Sequence, residues 1–536
     1  MLRFASVLFA VSFLAAIARG APGPASVFDV RQFGAAGDGK TLDTAAIRKA
    51  IDACARAGGG AVYLGPGTYL SGTVILESNV TLHVESGATL LGSTRLDDYD
   101  PRHLVYARGA ENVGIAGRGR IDGQGEAFWE PPAGAPDAAK PWYERERFWH
   151  KAKARPSPMV RFVQCRDVHI RQVRFENSPG WTIHLLACDS CLVDRVTIRN
   201  PLYGPNTDGI DIDACRDVTV SGCIISTSDD AVVLKNTNTD GLARQSRNIA
   251  VTNCILTTIC NGFKMGTETL EGFENITFSD SVITHHPKAP HWPAISGIAI
   301  ETVDGGHVRN VNVSNIAMQN VRAPIFIRLG ARLRRKDPEV GPGTLRDVAI
   351  SHVTARGAQL PSVIAGLPGH PVQGVRLTDI RVRTEGGGTE DLAARTVPHK
   401  PRNYPEATMF GRLPAYGFYC RYVEGLRMRD VDVAPEKSDA RPAVVCDGVR
   451  NLVIDSLTAA PPSGAWPVIR FIQTRDATVR GWRTPTDVRT FLRAEGEGTA
   501  RILLMGNDFS RVKTIVHFAA GAAAGAVSQA GNHPSR

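Results

Sequence analysis

Short segments in which apolar and polar residues alternate recur along the chain, and each ends in a turn containing Asn, Gly or Asp. Nine copies align with one another, for example "CRDVHIRQVRF" from Cys165, "CRDVTVSGCII" from Cys215 and "VRNVNVSNIAM" from Val308. A period of two residues is typical of β-strands. The first apolar position of the copies falls at residues 168, 191, 218, 249, 276, 311, 348, 375 and 426. The pattern therefore predicts a repeat of strand units.

A single strand unit cannot bury its own apolar face, so neighbouring units must stack on one another. Because the strand core is constant while the spacing varies, we expect coils that carry different loops. A right-handed parallel β-helix of at least nine coils fits this pattern. A β-propeller would need four strands in each longer and more even repeat. The sequence thus predicts an all-β, single-stranded solenoid over residues 60–530, with loop insertions near residues 134–158 and 385–416.

The open end of such a stack would expose unpaired strand edges, so we expect a cap at the amino terminus. The segment 21–59 supplies a candidate helix, with Asp43 as its N-cap and Gly58 just after its end. Between these two residues, one face of the helix is apolar and consists of Ile47, Ala50, Ile51 and Cys54. The sequence therefore predicts that this helix packs on the first coil.

A second set of strands aligns from Gly209, Ala231, Gly262, Gly297 and Pro324. If the large apolar residues point inward, strand alternation sends the residues between them outward. The outward position before each segment then holds Asp208, Asp230, Asn261, Ser296 and Ala323. The middle outward position holds Asp211, Val233, Lys264, Ala299 and Phe326, and the last holds Asp213, Lys235, Gly266, Glu301 and Arg328. The sequence thus predicts columns of polar side chains on one outer face.

Composition and cysteine usage add a compartment and a type of partner. Residues 1–20 have the features of a signal peptide, with Arg3 ahead of an apolar stretch, so we expect an exported protein, secreted or periplasmic, without a membrane span. The formal charge of +9 suits an acidic polymer but equally a soluble basic protein. No basic run with interleaved aromatic residues supports nucleic-acid binding. We also expect a monomer.

The cysteines do not point to a metal site or to a disulfide scaffold. Ten cysteines in so long a chain are few, and the pair at 188 and 191 lacks a second pair at zinc-like spacing. Three copies of the repeat carry Cys at one position, at residues 165, 188 and 215, which favours packed core residues and leaves disulfides possible. The cysteines therefore give no support for a metal site.

Three acids converge on one part of the outer face. Adjacent coils lie about 4.8 Å apart, so Asp208 and Asp230 become neighbours, with Asp229 beside them. Asp is common in turns, but turn chemistry does not require three acids on one patch. Neighbouring carboxylates split their pKa values, so that one stays protonated as an acid while another acts as a base. Such a group suits glycoside hydrolysis.

The same residues lie in motifs that resemble glycoside hydrolase family 28, the polygalacturonase-like enzymes. The matching motifs are "FDVRQFGAAGDGKTLDT" from Phe28, "GRIDGQG" from Gly119, "NSPGWTIH" from Asn177, "PNTDGIDIDAC" from Pro205 and "SDDAVVLK" from Ser228. The resemblance implies an inverting hydrolase of pectic polysaccharides on a pectin-lyase-like β-helix, without a cofactor. It also implies that Asp229 is the general acid and that Asp208 and Asp230 hold and activate the attacking water.

The chain departs from the family at two later motifs. Asn261 stands where the polygalacturonases have the His of a Gly-His-Gly motif, and Ala299 and Glu301 stand where they have the Arg and Lys of an Arg-Ile-Lys motif. In the family these basic residues grip the carboxylate of galacturonate, so ordinary polygalacturonan specificity does not carry over. Stacking places Lys264 one coil before Ala299 and Arg328 one coil after Glu301. This predicts that positive charge has moved along the groove, with Lys264 gripping a substrate carboxylate.

Other side chains near the patch are candidates for substrate contacts. Trp181, His184 and Tyr203 could stack on a sugar, or each could be a packed corner residue; Lys235 borders the acids, and Asn261 and Glu301 face the same groove. A Glu301–Arg328 surface ion pair, which would contribute little, is an equal alternative to substrate binding. Long loops in a compact repeat are usually functional or disordered, and a loop that closes one groove end would favour exo-acting cleavage.

The leading interpretation is an exported hydrolase of pectic, galacturonate-containing or related acidic polysaccharides. One alternative is a polysaccharide lyase on the same architecture, which would use calcium or a basic residue for proton abstraction and would form an unsaturated product. A second alternative is a non-catalytic β-helix that binds glycans as an adhesin or a tailspike does. An ultraviolet-absorbing unsaturated product would identify the lyase, and binding without turnover that is unchanged by the loss of Asp229 would identify the non-catalytic protein.

Overall fold

One strand of each coil joins a sheet of parallel strands that we call the cleft sheet. The computed structural model describes residues 26–131, 149–287, 289, 291–334 and 340–534. Within them the chain forms a right-handed parallel β-helix, and the cleft sheet has fifteen strands. These strands are Val74–Ile75, Val105–Arg108, Val160–Val163, Ile183–Leu186, Ile210–Asp213, Val232–Asn236, Asn261–Thr269, Ala294–Thr302, Val321–Leu329, Ser362–Ala365, Phe418–Arg421, Val444–Asp447, Ile469–Ile472, Val488–Glu495 and Val512–Ala519.

The remaining strands of the coils form a bent second sheet of twenty-seven parallel strands. They are Val27–Asp29, Asp38–Leu42, Gly60–Leu64, Gly67–Ser71, Val80–Val84, Ala88–Gly92, Glu111–Gly117, Arg120–Asp122, Arg166–Arg171, Arg174–Glu176, Asp189–Asp194, Thr197–Arg199, Arg216–Ser221, Ile224–Thr227, Ser246–Thr252, Ile255–Thr258, Gly272–Thr284, His307–Gln319, Thr344–Ala358, Val372–Thr384, Val423–Glu424, Arg427–Pro435, Arg450–Asp455, Thr458–Ala459, Arg475–Arg480, Ala500–Met505 and Val527–Ala530. Short 3-10 helices occur at Val30–Phe33, Leu96–Asp98, Gly125–Phe128, Thr239–Gly241, Ala407–Phe410 and Ala524–Ala526.

The strand register follows the alignment of the repeats. Val168 pairs with Cys191, and the same column continues through residues 218, 249, 276, 311, 348 and 375. The Asn side chains of the turns also stack: Asn275 donates to Asn248 at 2.9 Å and accepts from Asn310 at 2.8 Å. These three residues have φ near +56°, a backbone region that Asn tolerates better than most residues. The Asn turns therefore bend the chain and link the coils.

The core lies between the two sheets and consists of the inward-facing apolar side chains. Phe263 from the cleft sheet stacks on Phe278 from the second sheet with ring centroids 4.6 Å apart. All ten cysteines are buried free thiols. Those of the predicted column are in contact, since the Cys188 amide donates to Cys215 Sγ at 3.3 Å. The packed-core interpretation of the cysteines thus describes this structure.

The amino-terminal cap is the helix Thr44–Arg56, whose buried face contains the four predicted apolar residues. Asp43 stands at the N-cap position, but its carboxylate makes no capping bond. It accepts hydrogen bonds from the amides of Ala36 and Gly37 instead, at 2.7 and 3.0 Å, so this part of the capping prediction is wrong. Gly58 follows the helix with φ +93°.

The second predicted insertion is folded against the cleft sheet. It contains the short helix Glu390–Ala394 and the 3-10 helix Ala407–Phe410. We call residues 397–413 the strap. Of the first insertion, residues 132–148 lie outside the described part of the chain, and the strands Trp129–Glu130 and Lys151–Ala152 pair antiparallel beside it. The predicted signal peptide also lies outside that part. Among the helices described, none is long and apolar enough to cross a membrane.

Candidate active site

The predicted acids meet where two neighbouring strands of the cleft sheet begin. Ile210 pairs with Val232, so Asp208 and Asp230, each two residues earlier, lie in neighbouring coils. Asp213 pairs with Lys235. The acids open into a cleft of about 610 Å³. The lining residues are Trp181, Asn206, Asp208, Asp229, Asp230, Lys235, Thr237, Asn238, Thr239, Glu268, Leu270, Asp304, Arg334 and Tyr404. The structure thus brings all three proposed catalytic acids together.

Asp229 and Asp230 are adjacent carboxyls with opposite pKa shifts. Burial and the charge of Asp230 raise the pKa of Asp229. Burial also disfavours the ionised form of Asp230, but the ammonium groups of Lys264 and Lys235 hold the pKa of Asp230 below its ordinary value. Lys264 Nζ lies 3.1 Å from Asp230 Oδ2. One carboxyl is thereby set to give a proton and its neighbour to take one.

Asp208 shares a lysine with a second buried acid. Lys235 Nζ lies 3.6 Å from Asp208 Oδ2, 3.5 Å from Asp211 Oδ1 and 4.6 Å from the centre of the Trp181 ring. Burial and the charges of Asp229 and Asp211 raise the pKa of Asp208 well above its ordinary value. Asp208 Oδ1 is buried and has no hydrogen-bond partner in the described structure. Lys235 therefore compensates charge within the cluster, while Asp208 keeps an oxygen free for a ligand.

Asn261 and Lys264, which lie on the strand after the acids, both contact Asp230. Asn261 Nδ2 donates to Asp230 Oδ1 at 2.7 Å, so the Asn that replaces the His orients this carboxylate. Lys264 is 2% exposed and its ammonium is engaged by Asp230. A substrate carboxylate would have to compete with that buried contact. We therefore expect Lys264 to act mainly on Asp230, which changes the sequence-based expectation that it chiefly grips the substrate.

Two predicted substrate ligands lie away from the cleft surface. Arg328 is 2% exposed and donates to the backbone carbonyls of Gly366, His399 and Lys400 at 3.1, 3.0 and 3.1 Å. It does not line the cleft, and it forms no ion pair with Glu301 among the described residues. His184 is also buried, with Nε2 3.4 Å from Asp213 Oδ2. Arg328 was expected at the groove surface, but a loop covers it, whereas the burial of His184 agrees with its alternative interpretation as a packed residue.

Glu301 is a buried acid beside the catalytic pair. It is 1% exposed, and within the described part of the chain its Oε2 has no hydrogen-bond partner. Burial raises the pKa of Glu301 to about 8, against the opposing attraction of Lys264. At pH 7 the side chain is therefore mostly protonated. A neutral carboxyl at this position can donate a hydrogen bond. The lysine that the family's motif has here also donates hydrogen bonds, but it does so as a cation.

Glu301→Gln is expected to stabilise the protein at alkaline pH. The folded state binds the Glu301 proton up to about pH 8, whereas the unfolded state releases it near its ordinary pKa, so the wild type loses stability as pH rises between these values. The Gln variant avoids this loss, which amounts to at most about 5 kcal/mol. Urea unfolding at pH 9 should show the gain, and at pH 4 the two proteins should match. Equal stability of the two proteins at pH 9 would contradict the raised pKa of the buried Glu301 carboxyl.

Several residues of the site carry no repeating pattern. Tyr404 and Glu406 come from the strap, and only the length of the insertion indicated a function there. Glu268 enters the cleft because of an irregularity in the strand register. Between Met265 and Thr269, the strand Asn261–Thr269 contains two more residues than the partner strand has over the same stretch of pairing. Arg334 Nη1 lies 2.8 Å from Glu268 Oε1. The register irregularity also means that the predicted column through Gly266 is not regular.

One group of donor atoms could be considered for a metal ion. A carboxylate oxygen each from Asp229 and Asp230 and the sulfur of Cys260 lie within 4.8 Å of one another. Burial raises the pKa of Cys260 well above its ordinary value, which keeps it a thiol rather than a thiolate ligand. The Lys264 ammonium beside Asp230 also repels cations. The group suits proton transfer better than metal binding.

A cleft on a solenoid, with a carboxyl of raised pKa next to one of lowered pKa, is the arrangement that carboxylate-dependent glycosidases use. Residues 61–400 match the sequence profile of Glycosyl hydrolases family 28, and the chain belongs to this family. It is therefore a glycosidase that hydrolyses O-glycosyl bonds, as the motifs predict.

Individual relatives agree with this membership. A probable polygalacturonase of Vitis vinifera is 24% identical over 382 residues, which are 65% of this chain and 73% of that protein. An endo-polygalacturonase of Pectobacterium carotovorum subsp. carotovorum is 27% identical over 306 residues, 53% of this chain and 71% of that protein. The structure of a hyperthermoactive exopolygalacturonase from Thermotoga maritima superposes with a TM-score of 0.56 at 24% identity, over 67% of this chain and 88% of the other. This likeness shows the fold.

Proposed function

We propose that the protein is an exported, inverting glycosidase that cleaves pectic or related acidic polysaccharides. The observation that supports it most directly is the pair of adjacent carboxyls with opposite pKa shifts, Asp229 raised and Asp230 lowered, at the floor of the cleft. The relatives named polygalacturonases support a pectic substrate. Arg334, which lines the cleft and is 55% exposed at its side chain, is the cation best placed to meet a substrate carboxylate.

In this mechanism Asp229 protonates the leaving glycosidic oxygen, and Asp230 removes a proton from the attacking water. The Lys264 ammonium and the Asn261 amide keep Asp230 ionised and oriented for that step. One oxygen of Asp229 and one of Asp230 lie within 4.8 Å of each other, closer than the roughly 6.5–9.5 Å usual for an inverting pair. We propose that the attacking water is held between Asp230 and Asp208, whose Oδ1 has no hydrogen-bond partner among the described residues.

The test is the identity and anomeric configuration of the first product. The protein is incubated with polygalacturonate, with the same polymer after its carboxyls are reduced to alcohols, and with other pectic glycans, and proton NMR follows the first sugar released. We expect hydrolysis with inversion. A retained configuration would contradict the mechanism, an ultraviolet-absorbing unsaturated product would identify a lyase, and binding without turnover on every glycan would favour the non-catalytic alternative.

Export and a monomeric state remain predictions from the sequence. The first rests on the features of residues 1–20, and loss of those residues should leave the protein inside the cell that makes it. The second is checked by sedimentation or by light scattering of the purified chain.

A further inference from the structure

The strap covers the cleft sheet immediately beyond the catalytic coils. Outward-facing side chains of that sheet form an apolar cluster with residues of the strap rather than a solvent-exposed groove floor. The sheet contributes Ala299, Ala323, Phe326, Val363, Ala365, Tyr419 and Val445, and the strap contributes Val397, Ala407, Phe410 and Leu413. Ala299, Phe326 and Val363 are completely buried. The part of the groove that these residues would form is therefore filled by the protein's own chain.

Buried arginines of the cleft sheet hold the strap in this position. Arg328 donates to the carbonyls of His399 and Lys400, and Arg421 donates to the carbonyl of Val397 at 2.6 Å. Burying a guanidinium is costly unless its N–H groups are hydrogen-bonded, and here the strap carbonyls supply the acceptors. If the strap left, these arginines would lose the strap carbonyls, and Arg328 would keep Gly366 and Arg421 would keep Asp447 as partners. The strap is thus an integral part of the native sheet face.

The inner edge of the strap faces the catalytic acids. Tyr404 lines the cleft, and Lys264 Nζ lies 5.6 Å from the centre of its ring. The half-buried Glu406 follows two residues later, and its pKa is raised by burial and by the charges of Asp230 and Asp229. The wall that ends the groove is therefore only about one coil from the acids, since adjacent coils lie about 4.8 Å apart.

We infer that the strap closes one end of the substrate groove, so that the enzyme cleaves at or close to the end of a glycan chain. A polymer that crossed the acids and continued along the sheet would have to occupy the space taken by Phe410 and Tyr404. A chain end has no such continuation and fits against the wall. The inference rests on the proposed glycosidase function and specifies which bonds of the polymer the site reaches.

The product pattern of the wild type tests this. Polygalacturonate, or another pectic glycan that gives turnover, is followed by viscosity and by new reducing ends, and oligomers labelled at the reducing end are separated by size. We expect one small product from the first turnovers and little loss of viscosity for each bond cleaved. A broad range of oligomers with a rapid loss of viscosity would overturn the inference and leave the hydrolase standing. No turnover on any glycan would contradict the proposed function instead.

Loosening the strap gives a second, independent test. The double variant Arg328→Met with Phe410→Ala removes two carbonyl contacts and one apolar anchor of the strap. We expect longer products and a larger loss of viscosity per bond. Arg470→Met is the matched control, because Arg470 is also buried on this sheet face but donates to Ala393, outside the strap. An unchanged product pattern in a folded double variant would contradict the role of the strap. If that variant does not fold, the wild-type pattern decides alone.

Discussion

Replacing Asp229 by Asn is expected to lower kcat by about 10²–10⁴-fold, the usual contribution of a positioned general acid. The amide keeps the shape of the carboxyl but has no acidic proton for the leaving oxygen. Affinity for the substrate should change little, because the proton is needed mainly in the transition state. The fold should not suffer, since burial already disfavours the ionised form of Asp229. Loss of turnover without loss of stability is the expected result.

Initial rates, binding of the intact glycan and thermal unfolding of wild type and Asp229→Asn provide the measurement. Asp240→Asn is a suitable control, because Asp240 pairs with Arg108 and Arg161 and does not line the cleft. The wild-type rate should fall as pH rises through the raised pKa of Asp229 and as pH drops through the lowered pKa of Asp230. A near-normal rate for Asp229→Asn would refute the assignment of the acid.

The stacked columns could be predicted because each coil of a parallel β-helix repeats the strand register of the coil before it. Once Val168 and Cys191 align, every later copy follows, and the same rule places Asp208 next to Asp230 without any contact between distant parts of the chain. Alternation then decides which side chains point outward. The fold and the position of the acids therefore depend on local pattern and constant geometry, both of which the sequence displays.

Whether an outward-facing side chain is exposed to solvent depends on the loops, and the loop sequences have no repeating pattern. Arg328 points outward as predicted, yet His399 and Lys400, about seventy residues later in the chain, cover it. His184 is also buried, in agreement with its alternative interpretation as a packed residue. The sequence shows that these loops are long but not where they pack. For this reason the three acids line one cleft, whereas the outward-facing side chains of Asn261, Lys264, Glu301 and Arg328 are buried and do not line it.

Lys264→Met is expected to reduce kcat by about 10²-fold or more, with a smaller change in KM. In the structure the Lys264 ammonium is the largest of the interactions that hold the pKa of Asp230 down against burial. Without it the pKa of Asp230 rises, so the base is protonated at a pH where the wild type is active. The acid limb of the pH–rate profile should therefore move to higher pH. If Lys264 instead bound a substrate carboxylate, Lys264→Met would raise KM for acidic glycans and leave the acid limb of the profile unchanged.

Stability gives the same prediction a second readout. Lys264→Met leaves Asp230 as a buried carboxylate without its partner, which costs about 3–5 kcal/mol near neutral pH. The cost should shrink as pH falls, because protonation removes the unpaired charge.

Adding Asp230→Asn to Lys264→Met should restore most of the stability but none of the turnover, since the ion pair is gone and so is the base. A double variant as unstable as Lys264→Met alone would show that Lys264 supports the fold by packing rather than by its charge. If Lys264→Met alone has an unchanged kcat and a raised KM, Lys264 is instead a substrate ligand.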